Sequence, residues 1–189
     1  MNKEEILSEI EKNPVIMAIK DNRDLTACLE KDIKVVFVLY GSINNISHIV
    51  GKLKDSGKYV IVHEDLIEGL KAGRQASEFI AKFTEADGII TTRVKDASKA
   101  KQMGLFTVLR FFMLDSLSFE SVKTSLKSAD ADLIEILPGI MPKIIENLSR
   151  RTAIPIVAGG LIRDKDDVIS ALNANAFAIS SSNQNVWNM

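Results

Sequence analysis

The chain has 189 residues, of which 46% are apolar and 26% are charged, and its 24 basic side chains nearly balance 25 acidic ones. These values are typical of one globular domain and exclude a general attraction to nucleic acid or to an anionic membrane. Any contact with nucleic acid must therefore come from a local patch.

The first stretch, MNKEEILSEIEKN, is charged throughout and lacks the apolar centre of a signal peptide. No apolar run reaches the roughly 18 residues that a membrane-spanning helix needs. The one cysteine, Cys28, excludes an internal disulfide and fits a reducing compartment. We therefore expect a cytoplasmic protein without a membrane partner.

Eight short apolar runs follow an N-terminal helix that is predicted over residues 1–13. The runs are rich in Val, Ile and Phe and lack polar alternation, as strands buried on both faces do. Between them, apolar residues recur every three or four positions, which indicates helices. The runs cover residues 14–20, 35–41, 59–65, 88–93, 106–112, 133–137, 154–160 and 176–182.

This alternation predicts βα units around a parallel sheet, and eight units favour a closed, compact (β/α)8 TIM-like barrel. An open doubly wound sheet is the competing architecture. One domain is expected, with the eight units over residues 14–182 and a tail over 183–189. Because this tail is too short for a full last helix, we expect the N-terminal helix or a partner subunit to cover the surface left there.

Charged side chains occur near the carboxyl ends of these strands, where barrels of this kind build their sites. Glu135 interrupts LIEIL, and an unpaired buried carboxylate costs several kcal/mol, so it must face the lumen, where a cation can meet it. Lys20, Arg93 and Arg110 lie at similar positions, as does the run His63-Glu64-Asp65. Singly, each charge is explained as a solvated strand end. Together they predict a mouth that receives a small anionic, hydroxylated ligand.

The loops after the seventh and eighth strands carry a phosphate signal. Gly159 and Gly160 precede a helix for which Asp164 is the predicted N-cap, and the last strand ends in Ser180-Ser181-Ser182. Backbone N–H groups beside glycines, a helix N-terminus and serine hydroxyls all bind phosphate oxygens. A Gly-Gly pair alone marks a turn equally well, but the combination predicts a small phosphorylated polyol or sugar as ligand.

Several motifs together resemble those of the glycerol-3-phosphate-responsive antiterminator family. They are HEDLIEGL (63–70), DGIITTR (87–93), LRFFMLDS (109–116), IEILPGIMPKII (134–145), PIVAGGLI (155–162) and SSSNQNVW (180–187). The resemblance implies a barrel-like regulator rather than an enzyme, which binds glycerol 3-phosphate as its effector and needs no cofactor or metal. It further implies that the protein acts on the leader mRNA of glycerol-utilisation genes and prevents premature termination.

The resemblance also implies which positions contact the ligand. Gly159, Gly160, Ser180 and Ser181 would hold the phosphate, Lys20 and Arg110 would supply positive charge, and Glu135 or Asp65 would accept hydrogen bonds from glycerol hydroxyls. The full set of expected ligand-binding residues, including Arg93 from the charged ring, is Lys20, Glu64, Asp65, Arg93, Arg110, Glu135, Gly159, Gly160, Ser180 and Ser181.

Two positions depart from the family pattern. Glu64 adds a charge to the HxDL motif, which leaves open whether Glu64 or Asp65 faces the lumen. Asn175 stands where the family usually has a glycine before the last strand; because asparagine tolerates a positive φ, we expect the turn to survive.

The candidates for RNA contact are basic groups outside the mouth. Lys71 and Arg74 lie in a glycine-containing loop predicted over 66–77, and Arg150-Arg151 form a second group with Lys143. A third group comprises Lys95, Lys99 and Lys101. Each group is equally compatible with an ordinary solvated helix face. If the resemblance holds, the long loop or a patch assembled by a homodimer is expected to supply the contacts.

Two other classes of function stay open. A TIM-barrel enzyme that acts on a small phosphorylated C3 compound could use Glu135 as a general base. A pure small-molecule sensor would instead have a protein partner. The sequence shows no clear second catalytic residue beside Glu135 and no histidine spacing typical of a metal site.

Overall fold

The structure is a computed structural model that describes residues 3–71 and 73–189. Within these residues, eight parallel strands pair in chain order, and the first pairs with the last to close a barrel. This confirms the predicted (β/α)8 barrel over the open sheet. The strands are β1 (Val15–Ile19), β2 (Val35–Val38), β3 (Tyr59–His63), β4 (Gly88–Thr91), β5 (Phe106–Phe112), β6 (Leu133–Leu137), β7 (Ile156–Gly159) and β8 (Ala178–Ser181).

A helix precedes β1, and one further helix follows each of the first seven strands. The first two residues of the helix predicted over 1–13 lie outside the described part of the chain. No helix within residues 3–71 and 73–189 is long and apolar enough to cross a lipid bilayer. The helices are α1 (Lys3–Lys12), α2 (Asn22–Leu29), α3 (Ile46–Asp55), α4 (Arg74–Phe83), α5 (Val94–Gln102), α6 (Ser116–Leu126), α7 (Pro142–Ser149) and α8 (Lys165–Asn173).

The strands are apolar on both sides because each side packs against a different part of the core. Phe37, Ile61 and Phe106 belong to the cluster that fills the lumen. The alternate residues, such as Val36 and Val60, belong to the larger cluster under the outer helices. A polar side chain on a strand therefore meets solvent only at the open carboxyl end of the lumen.

Helix α1 closes the amino-terminal end of the barrel. Its buried residues Ile6 and Ile10 join the lumen cluster, and Lys3 Nζ lies 2.8 Å from Oδ1 of Asp132, immediately before β6. The expectation that α1 covers the surface left by the missing last helix is therefore wrong. Burial of Ile6 and Ile10 in the lumen cluster stabilises α1 in this position.

The chain's own tail covers the place of the missing last helix. A 3-10 turn, Val186–Asn188, follows β8, and Val186 and Trp187 are buried in the outer core. The indole Nε1 of Trp187 donates to the carbonyl oxygen of Ser181 at 2.7 Å, and Gln184 Nε2 donates to Asp24 Oδ1 at 3.0 Å. The tail therefore fixes the end of β8, which carries the serines of the predicted site.

Two local predictions, one at each end of the barrel, are confirmed. Asp164 is the N-cap of α8, and its side chain accepts a hydrogen bond from the Asp167 backbone N–H. Asn175 has a φ of 70°, so asparagine supplies the left-handed turn before β8 that glycine would otherwise provide.

Replacement of Trp187 should show how much the tail stabilises the barrel. Trp187→Ala should lower the free energy of unfolding by roughly 3–5 kcal/mol, because it empties a buried site. Trp187→Phe should cost only about 1–2 kcal/mol, since it removes the indole donor but keeps most of the packing. Urea denaturation measures both. The control is Met189→Ala, since Met189 is exposed; an alanine loss at Trp187 no larger than this control would contradict the packing role.

Candidate ligand-binding site

A cavity of about 500 Å³ opens at the carboxyl end of the barrel, between β1, β2 and β5–β8. It lies at the end predicted from the charged strand termini. Six of the expected ligand-binding residues line it: Lys20, Arg110, Glu135, Gly160, Ser180 and Ser181. Four lie outside the lining: Glu64, Asp65, Arg93 and Gly159.

The floor of this cavity is a buried ion pair. Arg110 on β5 and Glu135 on β6 are direct neighbours in the parallel register, and Arg110 Nε lies 2.6 Å from Glu135 Oε2. Arg110 is 6% exposed and Glu135 is 1% exposed. The carboxylate in the middle of LIEIL is therefore tolerated because a cation on the adjacent strand faces it. Removal of one partner from such a pair commonly costs about 3–5 kcal/mol.

Ser180 extends the ion pair across the lumen. Its hydroxyl donates to the second carboxylate oxygen of Glu135, Oε1, at 2.5 Å. Both oxygens of Glu135 are thus hydrogen-bonded, one to a guanidinium from β5 and one to a hydroxyl from β8. The three side chains form one fixed polar network, which we call the Arg110–Glu135–Ser180 network.

Gly159 leaves room for this network. A Cβ atom at position 159 would collide with Glu135 Oε1 and would lie 2.7 Å from Ser180 Oγ. Gly159 also does not line the cavity. In this structure, therefore, a glycine at position 159 leaves space for the side chains of Glu135 and Ser180. This role differs from the phosphate contact expected from the sequence.

Gly160 begins the loop from β7 to α8, and this loop forms one wall of the cavity. Its φ is 73°, and a Cβ atom there would lie 3.2 Å from Leu137 Cδ2. The next residue, Leu161, also has a positive φ, 62°. A left-handed conformation costs a non-glycine residue about 1–2 kcal/mol, and such strain is concentrated at functional sites.

The two loops after β7 and β8 are bonded to each other. Ser181 Oγ donates to the Ile162 carbonyl at 2.8 Å and accepts from the Asn183 N–H at 3.1 Å. Asn183 Nδ2 donates to the Arg163 carbonyl at 3.0 Å. Ser181 therefore holds the loops together, while the adjacent Ser182 also lines the cavity.

The sequence reasoning missed Arg163, which also lines the cavity. This arginine follows AGGLI directly and precedes the N-cap Asp164, so its position in the loop was the available signal. Among the residues that the structure describes, neither Arg163 nor Lys20 has a carboxylate within ion-pair distance. The cavity thus combines an ion-paired floor with two cationic side chains that make no ion pair among the described residues.

The run His63-Glu64-Asp65 divides between three environments. His63 lies on the lumen side of β3, where burial and the charge of Arg110 lower its pKa to about 4. Glu64 points to the outer side and is fully buried, and its carboxylate accepts from Ser77 of α4 at 3.1 Å. Burial raises the pKa of Glu64 to about 6. The placement of Glu64 at the mouth is thus corrected, because strand alternation turns it under α4.

Asp65 and Arg93 pair with each other beside the cavity. Arg93 Nη1 lies 3.0 Å from Asp65 Oδ1, and Thr92 Oγ1 donates to Asp65 Oδ2 at 3.4 Å. Asp65 follows β3 and Arg93 precedes α5, so both lie at the carboxyl end of the barrel. The structure places them at the mouth without bringing them into the cavity.

The RNA-contact candidates fall at opposite ends of the barrel. The predicted loop 66–77 is shorter in the structure, because α4 begins at Arg74; Ala72 of that loop lies outside the described residues. Lys71 and Arg74 are at the carboxyl end, where Arg74 pairs with Glu78. Arg150 and Arg151 follow α7 and lie at the amino end, where Arg151 lines a groove of about 450 Å³ together with Lys123 and Lys127.

A closed (β/α)8 barrel with a polar, cation-bearing cavity at its carboxyl end belongs to the class of small-molecule-binding TIM barrels. Within the described residues, no group of three or more His, Cys, Asp or Glu side chains is arranged to hold a metal ion. A family model, "Glycerol-3-phosphate responsive antiterminator", matches residues 15–187. The chain belongs to this family, which confirms the resemblance read from its motifs.

Relatives over nearly the whole chain agree with this assignment. The uncharacterized protein YgcP of Escherichia coli (strain K12) is 39% identical over 184 residues, which are 97% of this chain and 96% of YgcP. The crystal structure of the glycerol uptake operon antiterminator regulatory protein from Listeria monocytogenes str. 4b F2365 matches with a TM-score of 0.89 and 31% identity, covering 93% of this chain and 95% of that one. A glycerol uptake operon antiterminator-related protein from Thermotoga maritima MSB8 matches with a TM-score of 0.82 and 34% identity, covering 93% and 98%.

The neighbours His63 and Glu64 should give the stability of the barrel two opposing pH dependences. Because the pKa of His63 is about 4 instead of the ordinary 6.5, the free energy of unfolding decreases as the pH falls from 6.5 to 4. Because the pKa of Glu64 is about 6 instead of the ordinary 4.5, the free energy of unfolding decreases as the pH rises from 4.5 through 6. Between pH 4.5 and 6 these contributions offset each other in the wild type.

Single variants should expose each contribution. In Glu64→Gln, the free energy of unfolding should rise between pH 4.5 and 6 by about 1.4 kcal/mol per pH unit, whereas in His63→Asn it should fall with a similar slope. Urea denaturation across this range gives both slopes, with the wild type as the reference. Slopes of the same sign in the two variants would contradict the opposite pKa shifts of these residues.

Proposed function

We propose that this chain is a glycerol 3-phosphate sensor that binds the leader mRNA of glycerol-utilisation genes and prevents premature transcription termination. The observation that carries the proposal is the cavity at the carboxyl end, in a chain of this family, with two cations not paired by carboxylates. Such a cavity suits a small dianionic ester better than a neutral polyol.

The phosphate end of the effector is assigned to the side of the cavity formed by β1, β7 and β8. Lys20 and Arg163 supply charge there, and the hydroxyl of Ser182 and the backbone N–H groups of residues 160–162 supply donors. The N–H of Arg163 already donates to Asp167. Because Arg110 is already neutralised by Glu135, its charge is less available to the phosphate than that of Lys20 or Arg163.

The glycerol end is assigned to the Arg110–Glu135–Ser180 network. An ionised carboxylate offers about four lone-pair directions, and the network uses two of them. Glu135 can therefore still accept hydrogen bonds from effector hydroxyl groups without losing its partners. The fixed positions of Arg110 and Ser180 keep this acceptor in one orientation.

The same contacts weigh against an enzyme that uses Glu135 as a general base. General acid–base catalysis commonly needs a second group beside the base, but Glu135 is already held by Arg110 and Ser180, and no other carboxylate or histidine lines the cavity among the described residues. A bound carboxylate of this kind positions a ligand hydroxyl more readily than it ionises one. We therefore propose regulation rather than turnover.

RNA contact is assigned to the basic residues at the effector end of the barrel. Lys71 and Arg74 follow β3 on the same end as the cavity, so an effector-induced change reaches them over a shorter distance than Arg150 and Arg151. Phosphate contacts of this kind carry affinity rather than sequence preference.

Glycerol 3-phosphate should raise the melting temperature by about 5–10 °C at a hundredfold excess over its Kd, and glycerol or inorganic phosphate alone should raise it far less. Gly160→Val should abolish the shift, because the loop would have to move to relieve its positive φ and the contact with Leu137. The matched control is Gly57→Val, which has the same φ of 73° but no atom near its Cβ. Differential scanning fluorimetry measures all arms; an equal response to the three ligands would refute a site for the ester.

Leader RNA that carries the terminator should bind only with glycerol 3-phosphate present, and the affinity should fall as salt rises. Lys71→Ser with Arg74→Ser should weaken binding and lower the salt slope by roughly two contacts. Lys34→Ser with Lys52→Ser, an equal loss of charge elsewhere, serves as the control in a filter-binding assay. Binding of leader RNA that needs no glycerol 3-phosphate and does not depend on salt would contradict the proposal. If only variants of Arg150 and Arg151 lose RNA binding, the RNA contact lies at the amino end of the barrel instead.

A further inference from the structure

Large apolar side chains are exposed together on the rim of the carboxyl end, after β5, β6 and β7. Leu114 is 83% exposed and Leu117 is 81% exposed, and the other three are about half exposed. We call this set the rim patch; its members are Phe112, Leu114, Leu117, Ile140 and Leu161. Single exposed leucines are ordinary on a protein surface, but a contiguous group marks an interaction site.

The three segments that carry the rim patch are neighbours because their backbones are bonded side by side. Phe112 is paired with Leu137 in the β5–β6 register, which brings the start of the first segment beside the second. The Gly139 N–H donates to the Gly160 carbonyl at 3.0 Å, which joins the second segment to the third.

The size of the rim patch fits the core of a protein interface. At these exposures its side chains present about 500 Å² of apolar surface, near the upper end of what a monomer leaves in one patch. A standard interface buries roughly 800 Å² on each partner, with a polar rim around an apolar centre. The rim patch therefore supplies the area that a stable dimer needs at its centre.

The surface also carries an apolar hollow of about 320 Å³, whose apolar lining residues are Met113, Leu114, Phe119, Met141 and Ile144. Leu117, on the first turn of α6, is 81% exposed and does not line this hollow. In a two-fold dimer the same surface of each copy faces the other. Exposed leucines of one copy can then fill the hollow of its partner.

The charges of this surface fit a second copy of the chain better than RNA. Among the described residues that line the hollow, none is cationic, and the one ionisable group, Asp115, is the N-cap of α6. The cation next to this lining, Lys123, lies over the ring of Phe119. A nucleic acid needs cations for its phosphates and flat side chains for its bases. We propose that the rim patch is the interface of a two-fold dimer of this chain.

The dimer would be coupled to the effector through Leu161. This residue belongs to the rim patch and also lines the cavity, with its backbone in the left-handed region. A ligand that fixes the Gly160–Arg163 loop fixes one wall of the interface, so effector binding and dimerisation must strengthen each other equally. This coupling rests on the proposed function, whereas the interface itself does not.

Sedimentation equilibrium over a wide range of protein concentration tests the interface, without RNA and with or without glycerol 3-phosphate. The wild type should dimerise, and Leu114→Lys with Leu117→Lys should weaken dimerisation at least about tenfold, as loss of an interface centre does. The control is Phe83→Lys, because Phe83 is 63% exposed on α4, and it should dimerise like the wild type. Far-UV circular dichroism confirms that each variant is folded.

Each other outcome overturns a defined part of the proposal. A wild type that stays monomeric at every concentration, or a rim variant that dimerises like the wild type, refutes the interface. If the wild type is monomeric and the rim variant loses binding to leader RNA, the rim patch is assigned to RNA instead. If the dimer forms but ignores glycerol 3-phosphate, the coupling fails; a fluorimetric response to the ester then shows that the effector site itself is intact.

Discussion

The pairing of Arg110 with Glu135 is the constraint from which the rest of the cavity follows. Two charges that are nearly removed from water must keep close and fixed partners, since the loss of either leaves an uncompensated charge in an apolar core. The parallel register places them side by side, and Ser180 completes the coordination of the carboxylate. Position 159 must then be glycine, because any side chain would occupy the space of the network.

This constraint also determines where free positive charge remains. Glu135 neutralises Arg110 at the floor, so the field that an anion meets at the mouth comes mainly from Lys20 and Arg163. The two cations flank the loop after β7 and the serines after β8, the position in which many barrels of this kind hold phosphate. The polar floor and the cationic wall together match a ligand with hydroxyl groups at one end and a phosphate at the other.

The barrel and the end that carries the site could be predicted from the sequence because both depend on local patterns. Buried strands, helical spacing and charges at strand ends are readable one segment at a time. The requirement that Glu135 faces a cation was also readable, since burial of a lone charge is prohibitive. The identity of that cation was not, because it depends on the register between β5 and β6.

Other features escaped prediction for the same non-local reason. The sides of Glu64 and Asp65 depend on which face of β3 is inside, which no single strand reveals when both faces are buried. The role of Gly159 depends on Glu135 and Ser180, which reach it from two other strands. The place of α1 depends on contacts of Ile6 and Ile10 with side chains from several strands, which the pattern of the helix alone does not reveal.

A barrel of this kind acts as a sensor rather than an enzyme when the free energy of ligand binding changes the conformation of its surface. Catalysis requires contacts that strengthen in a transition state, whereas the Arg110–Glu135–Ser180 network is already complete without a ligand. The element left to respond is the Gly160–Arg163 loop, which carries backbone strain at Leu161 and lies between the cavity and the rim patch. A ligand that binds one conformation of this loop more tightly than another shifts the equilibrium between them. The shift is no larger than the difference between its two binding free energies. In the proposed function, Leu161 is therefore the residue through which effector binding would reach a surface that a partner can contact.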